Sequence, residues 1–222
     1  MNLPEHLFPD VVLYTAWFIM LCILGLTLKK IIQNKQLFSG SGCALFCILM
    51  AWMLHASVNI GLNYHFLGVT LLTLTLGWSL TLWIMALACI IYTLVFLTPA
   101  DLLSVGLNFC IMTLPAVSIT LISLKAAQKY LPKHIFIFIL GNGFITAALS
   151  LLACALLIVL TLGLFNVYPM KFLISTALPV YFFIAWGEAF LTGLITAVLV
   201  CFAPQWVTTF DDDLYLKKPT IL

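Results

Sequence analysis

HFLGVTLLTLTLGWSLTLWIMALACIIYTLVFL, residues 65–97, is an apolar run that is long for one membrane helix and short for two. A span needs about 20 residues, so how often this run crosses sets the count for the whole chain. The lysines decide it. Lys29, Lys30 and Lys35 follow the first apolar block, 11–28. Lys125, Lys129 and Lys133 follow the fourth, 102–124, and Lys217 and Lys218 lie near the end. Cytoplasmic loops collect basic residues. One crossing of 65–97 would place the 125–133 cluster outside, whereas two place all three clusters inside. Two short or tilted spans are therefore expected, broken near Gly77, with Trp78 at the interface. The blocks 42–60, 134–163 and 172–202 each fit one crossing.

The prediction is an all-α polytopic membrane protein with seven transmembrane helices, the N-terminus outside and the C-terminus cytoplasmic. Residues 1–203 form one transmembrane helical domain, and 204–222 form a short cytoplasmic tail. Lys171 is the one external lysine. Pro115 and Pro179 fall inside blocks and should kink or break their helices.

Composition supports the class. Hydrophobic residues make up 64% of the chain and charged ones 7%, more apolar surface than a soluble core of this size can use. Alternating polar and apolar runs are absent, which argues against an outer-membrane barrel. The net charge is +2 and the chain contains no Arg, so nucleic acid is not an expected partner and a bidentate phosphate reader is lacking. The N-terminal MNLPEHLFPD is acidic and does not read as a cleavable signal, so the first span is retained. The chain is placed in the cell (inner) membrane as a multi-pass protein, with the lipid bilayer as its surroundings.

Polar groups at depth mark candidate functional positions. Glu188 lies in an apolar run with no other charge from Phe172 to Phe202. A carboxylate at bilayer depth costs about 2.5–3.5 kcal/mol on insertion scales unless it has a partner. Tyr181, Glu188 and Thr192 share one helix face, which should point inward. Glu188 could pair with His55 or His65, or hydrogen-bond as a neutral acid, as a structural clamp or as part of an ion path. MLHASVNIGLNYHFLG, residues 53–68, carries His55, Asn59, Asn63 and His65 at the outer end of the second span. If the span runs on to Gly61, His55 and Asn59 share a face at i, i+4. Two imidazoles and two amides suit a borderline divalent cation such as Ni²⁺ or Co²⁺; the plainer reading is hydrogen bonding between helices. Asn108 and Asn142 should each bond a neighbouring helix. Cys43 and Cys47, at i, i+4, could hold a soft metal or simply pack. Asp211, Asp212 and Asp213 read as a solvated run. No HExxH, nucleophile motif or paired intramembrane carboxylates occur, so no enzyme is expected.

At these residues the chain resembles the CbiM/NikM membrane components of energy-coupling-factor transporters for cobalt and nickel. MNLPEHLFP is similar to the family's M-H-I-M-E-G-F-L-P at Met1, Glu5 and Pro9. MLHASVNIGLNYHFLG resembles M-L-N-F-P-V-A-G-G-T-S-G-H-L-L-G at Met53, Leu54, Val58, Gly61, His65, Leu67 and Gly68. WGEAFLTG resembles I-G-E-A-L-I-T at Gly187, Glu188, Ala189 and Thr192, and GLNFCIM resembles G-A-N-V-x-N-M at Gly106, Asn108 and Met112.

The resemblance implies a substrate-binding permease subunit of an ATP-driven importer. A coupling membrane subunit and ATPase subunits would be supplied by other chains, since no P-loop occurs here. It implies that the N-terminus folds into the external mouth. There the terminal amine, the next amide, the second-position His and the His at the place of His65 bind a small square-planar ion such as Ni²⁺. This chain departs from that pattern: Asn2 replaces the second-position His, His6 stands where the family has Gly, His55 where it has Asn, and Tyr181 where it has His. The candidate ligands are thus His65, the Met1 amine, His6 and His55, with Asn59, Asn63, Asn108 and Glu188 in support. No permanently bound cofactor is expected; Ni²⁺ or Co²⁺ is the candidate cargo. The rival readings are a carrier for a small organic solute on the same scaffold and a non-transporting structural membrane subunit.

Overall fold

The computed structural model describes residues 2–33, 40–59, 62–211 and 215. Met1, Lys35, Gly61, Lys217 and Lys218 lie outside them, as do the side chains of Gln33 and of residues 57–59. Among the described residues seven helical regions of eight residues or more follow in order: α1 (Asp10–Gln33), α2 (Ser41–Met53), α3 (Val69–Leu76), α4 (Trp78–Phe96), α5 (Pro99–Tyr130), α6 (Ile137–Leu164) and α7 (Met170–Phe202). Among the described residues α1, α4, α5, α6 and α7 are long and apolar enough to cross a bilayer. The outer faces of α1 and α7 suit lipid: Leu26 is 81% exposed and Phe202 84%.

The break at Gly77 falls where the sequence places it. Gly77 adopts φ 78°, which favours glycine over any residue with a Cβ, and Trp78 opens α4. The ring of Trp78 lies 4.5 Å from the Lys30 ammonium, a cation–π contact that puts the lysine end of α1 level with the break. The two halves are unequal, however. α3 has 8 residues, about 12 Å at 1.5 Å per residue, against a hydrocarbon core of about 30 Å.

The stretch after α2 corrects the sequence reading. α2 ends at Met53 instead of running on to Gly61. Ala56–Asn59 and Leu62–Tyr64 pair instead as antiparallel strands, β1 and β2. Ser57, Val58 and Asn59 are weak helix formers in succession, and the strand pairing satisfies backbone groups that a frayed helix end would expose. His55 and Asn59 therefore do not share a helix face.

The prolines act as expected, through a specific device. Pro115 and Pro179 each follow a π-helical stretch, Phe109–Thr113 and Leu173–Ala177. The wider turn relieves the carbonyl that a proline ring would strike. A third π-helical stretch, Ile137–Ile145, carries Asn142 and has no proline. Asn142 is fully buried, and neither its Oδ1 nor its Nδ2 has a partner, so the bond to a neighbouring helix expected of it is not made.

Two close approaches set the packing. A Cβ on Gly106 of α5 would sit 2.5 Å from the Trp17 nitrogen of α1. On α7, a Cβ on Gly193 would meet the Phe144 side chain of α6 at 3.1 Å. The segment after α7 folds back onto the bundle. The N–H of Thr208 donates to the Thr75 carbonyl (3.1 Å), and both the N–H and the hydroxyl of Thr209 donate to the Leu74 carbonyl (3.3 and 2.7 Å). These caps satisfy carbonyls that α3 leaves free where it stops. Phe210 and Tyr215 then stack at 5.2 Å and meet the buried Phe138 of α6.

Candidate functional site

At the opposite end from this tail, three separate pieces of chain are drawn together. The N-terminal segment enters the bundle: Asn2 and Leu3 are buried. Asn108, on the α-helical turn before the first π stretch, grips Leu3 twice. Its Oδ1 accepts from the Leu3 N–H at 2.8 Å and its Nδ2 donates to the Leu3 carbonyl at 3.2 Å. Nδ2 also reaches the Ser104 hydroxyl at 3.3 Å. The Glu5 N–H donates to Asp101, and Asn63 on β2 donates to the Asn2 carbonyl at 3.3 Å. The amides thus act as a strand would, pairing with backbone groups that have no sheet to join.

Glu188 organises the second piece. It is 2% exposed, and its partners are neither His55 nor His65. The N–H of Leu67 donates to Oε2 at 2.8 Å and that of Gly68 to Oε1 at 2.6 Å. Gly68 has φ 70°, and a Cβ there would run into Ile48, so the turn requires glycine. Tyr181 and Thr192, on the same face, are buried too. A carboxyl on α7 thereby holds the turn that carries His65.

His65 itself is 3% exposed. Its Nδ1 lies 2.8 Å from the Phe66 carbonyl; a carbonyl can only accept, so Nδ1 carries the proton and Nε2 presents its lone pair. Nε2 is buried and has no partner. His65 sits on the connection into α3, outside the long helices, where burial holds its ring well below the ordinary imidazole range. A neutral imidazole with an unused, pre-oriented nitrogen is the form that binds a metal ion.

The other candidates are placed differently. His55 is exposed just past α2, its Nδ1 3.2 Å from both the Trp52 carbonyl and the Tyr92 hydroxyl. His6 is exposed on the short turn Glu5–Leu7. Asn59 lies on β1. Among the described residues no three His, Cys, Asp or Glu side chains converge, so His6, His55 and His65 do not form a shared cluster. A metal bound at His65 would need ligands beyond a triad of such side chains, nitrogen from the backbone or the chain terminus among them. Sequence reasoning missed Trp52, which is fully buried with its ring 5.0 Å from that of His65. Its position three residues before His55 on an apolar helix carries no signal that separates a site residue from a packing one.

Two crystal structures, titled as a transition metal transporter and a truncated transition metal transporter, superpose with TM-scores of 0.78 and 0.77 at 21% identity. Both cover 90% of this chain, which in turn covers 93% and 98% of theirs; the likeness is one of fold. No curated protein matches the chain. The model of the CbiM family, described as the cobalt uptake substrate-specific transmembrane region, matches residues 2–206. The chain is therefore a multi-pass membrane protein and a member of the CbiM family of metal-uptake membrane components.

Proposed function

We propose that the chain is the substrate-capturing permease subunit of an energy-coupling-factor-type importer, taking Ni²⁺ or Co²⁺ as its cargo. The observation that carries this reading is the unpartnered Nε2 of His65, held buried and neutral beside an N-terminal segment that is itself clamped into the bundle. His65 supplies one nitrogen. The Met1 amine, a backbone amide near Asn2, and His6 or His55 are the candidates for the rest; Asn63, Asn108 and Glu188 hold the segments that present them, and Asn59 lies on the paired strand.

Such a set suits an ion that accepts nitrogen ligands and can displace an amide proton. ATP hydrolysis and coupling come from other chains. The lysine-bearing end of the bundle faces the cytoplasm and the His65 end faces outward, following the basic residues at the ends of α1 and α5.

Equilibrium dialysis of the purified protein with Ni²⁺ and Co²⁺, alongside His65→Ala, tests the assignment. The variant should lose at least tenfold in affinity, the equivalent of about 1.4 kcal/mol. Equal binding by both proteins refutes it.

A further inference from the structure

Trp52 poses a separate problem. It is fully buried in the last turn of α2, and its indole Nε1 has no hydrogen-bond partner. An indole N–H is a donor only, and a buried donor without an acceptor is costly. Tyr92 packs edge-on against the ring at 5.7 Å, which fixes its plane. The neighbouring ring is His65, at 5.0 Å and tilted by 45°. Its Nε2 is also unpartnered and, with Nδ1 donating to Phe66, can only accept. Two neighbouring rings therefore carry a buried donor and a buried acceptor, each without a hydrogen-bond partner.

A bare cation would satisfy His65 but not Trp52, since the N–H presents its positive end. A metal ion that carries an oxygen donor satisfies both. The metal takes the imidazole lone pair, and the oxygen accepts from the indole.

We propose that the cargo bound at His65 carries an oxygen ligand, and that Trp52 recognises that oxygen through its N–H. The inference rests on the metal-capture reading above. The oxygen comes either from a retained water or from the carboxylate of a small chelator that accompanies the ion. In both cases Trp52 selects a ligated ion over a naked one.

The test uses the purified full chain loaded with Co²⁺, as the aquo ion in isotopically labelled water or as its complex with isotopically labelled citrate. Electron–nuclear double resonance should show a coupling to labelled oxygen in the first case or to labelled carboxylate in the second, and the arm that gives the coupling names the source. Trp52→Phe stays aromatic and removes the N–H together with the five-membered ring that carries it. It should weaken Co²⁺ binding about tenfold, as expected for one hydrogen bond, while the buried volume it removes lowers the melting temperature of the metal-free protein.

Absence of both couplings in the wild-type protein overturns the inference without recourse to any variant. So does an affinity that Trp52→Phe leaves unchanged, because the indole N–H would then take no part in holding the cargo. The two readings fail differently: if His65→Ala binds Co²⁺ like wild type, metal capture at this site is wrong. If binding needs His65 but neither the couplings nor the Trp52 effect appear, only the oxygen ligand is wrong.

Discussion

Replacing Glu188 by Gln tests the clamp on the His65 turn with almost no change in shape. Both carboxyl oxygens accept a backbone N–H, from Leu67 and from Gly68. Gln offers one acceptor and one donor, so one of these N–H groups would face an NH₂ and stay unpaired. Leaving one buried donor unsatisfied costs about 1–3 kcal/mol. For a chain of this size each kcal/mol moves the melting temperature by about 2–4 °C, so Glu188→Gln should melt roughly 2–12 °C lower. Glu188→Leu strands both N–H groups, and its loss should be about twice as large. The assay is thermal unfolding in detergent, combined with hydrogen exchange at Leu67 and Gly68. Exchange separates the clamp from general destabilisation, because the two amides should lose protection before the α6 core does. A Gln variant that melts with wild type and keeps both amides protected would refute the reasoning.

Four further outcomes follow from the same geometry. Gly106→Ala should destabilise by about 1–3 kcal/mol, because its Cβ meets the α1 backbone at Trp17 and no rotamer can relieve that; Gly25→Ala, which meets nothing within 4 Å, should be neutral or stabilising on the same melt. Asn108→Leu removes both bonds to Leu3 and should speed exchange of the Leu3 amide while α5 stays protected. Thr209→Val deletes the hydroxyl bond to Leu74; a loss of about 1 kcal/mol and faster exchange across α3 are expected. In metal-free protein, the depressed His65 ring means that below about pH 6.5 the unfolded chain binds a proton that the folded chain refuses. Stability should therefore fall as pH drops from 7 towards 5, and His65→Gln should flatten that slope in a melt series.

Features written in local chemistry were legible in the sequence. Gly77 breaks the long apolar run because only glycine takes that backbone angle at little cost. Glu188 declared its need for a partner through the expense of burying it, and the inward face shared by Tyr181, Glu188 and Thr192 followed from helical spacing. What was not legible lay in long-range pairing. The acceptor on Glu188 serves amides about 120 residues earlier in the chain, and amides leave no side-chain signature, so the sequence pointed to hydrogen bonding without naming its donors and offered His55 and His65 as pairing partners. The helical face assigned to His55 and Asn59 failed for the complementary reason. Met53 ends α2, and strand pairing with residues 62–64 outweighs the apolar continuity that suggested a longer helix. The unused Nε2 of His65 and the indole beside it are properties of tertiary packing alone.

The short segment from Leu67 to Thr75 borrows its partners from the far end of the chain: Glu188 for its leading amides, Thr208 and Thr209 for its trailing carbonyls. During translation those partners emerge about 120 residues or more after the segment they hold. The first helices can insert and wait in the bilayer, but the piece bearing His65 gains these locks only once α7 and the segment after it have been made. The turn that bears His65 is thus late to set, and a nascent chain stalled before α7 would carry its imidazole without the framework that aims it.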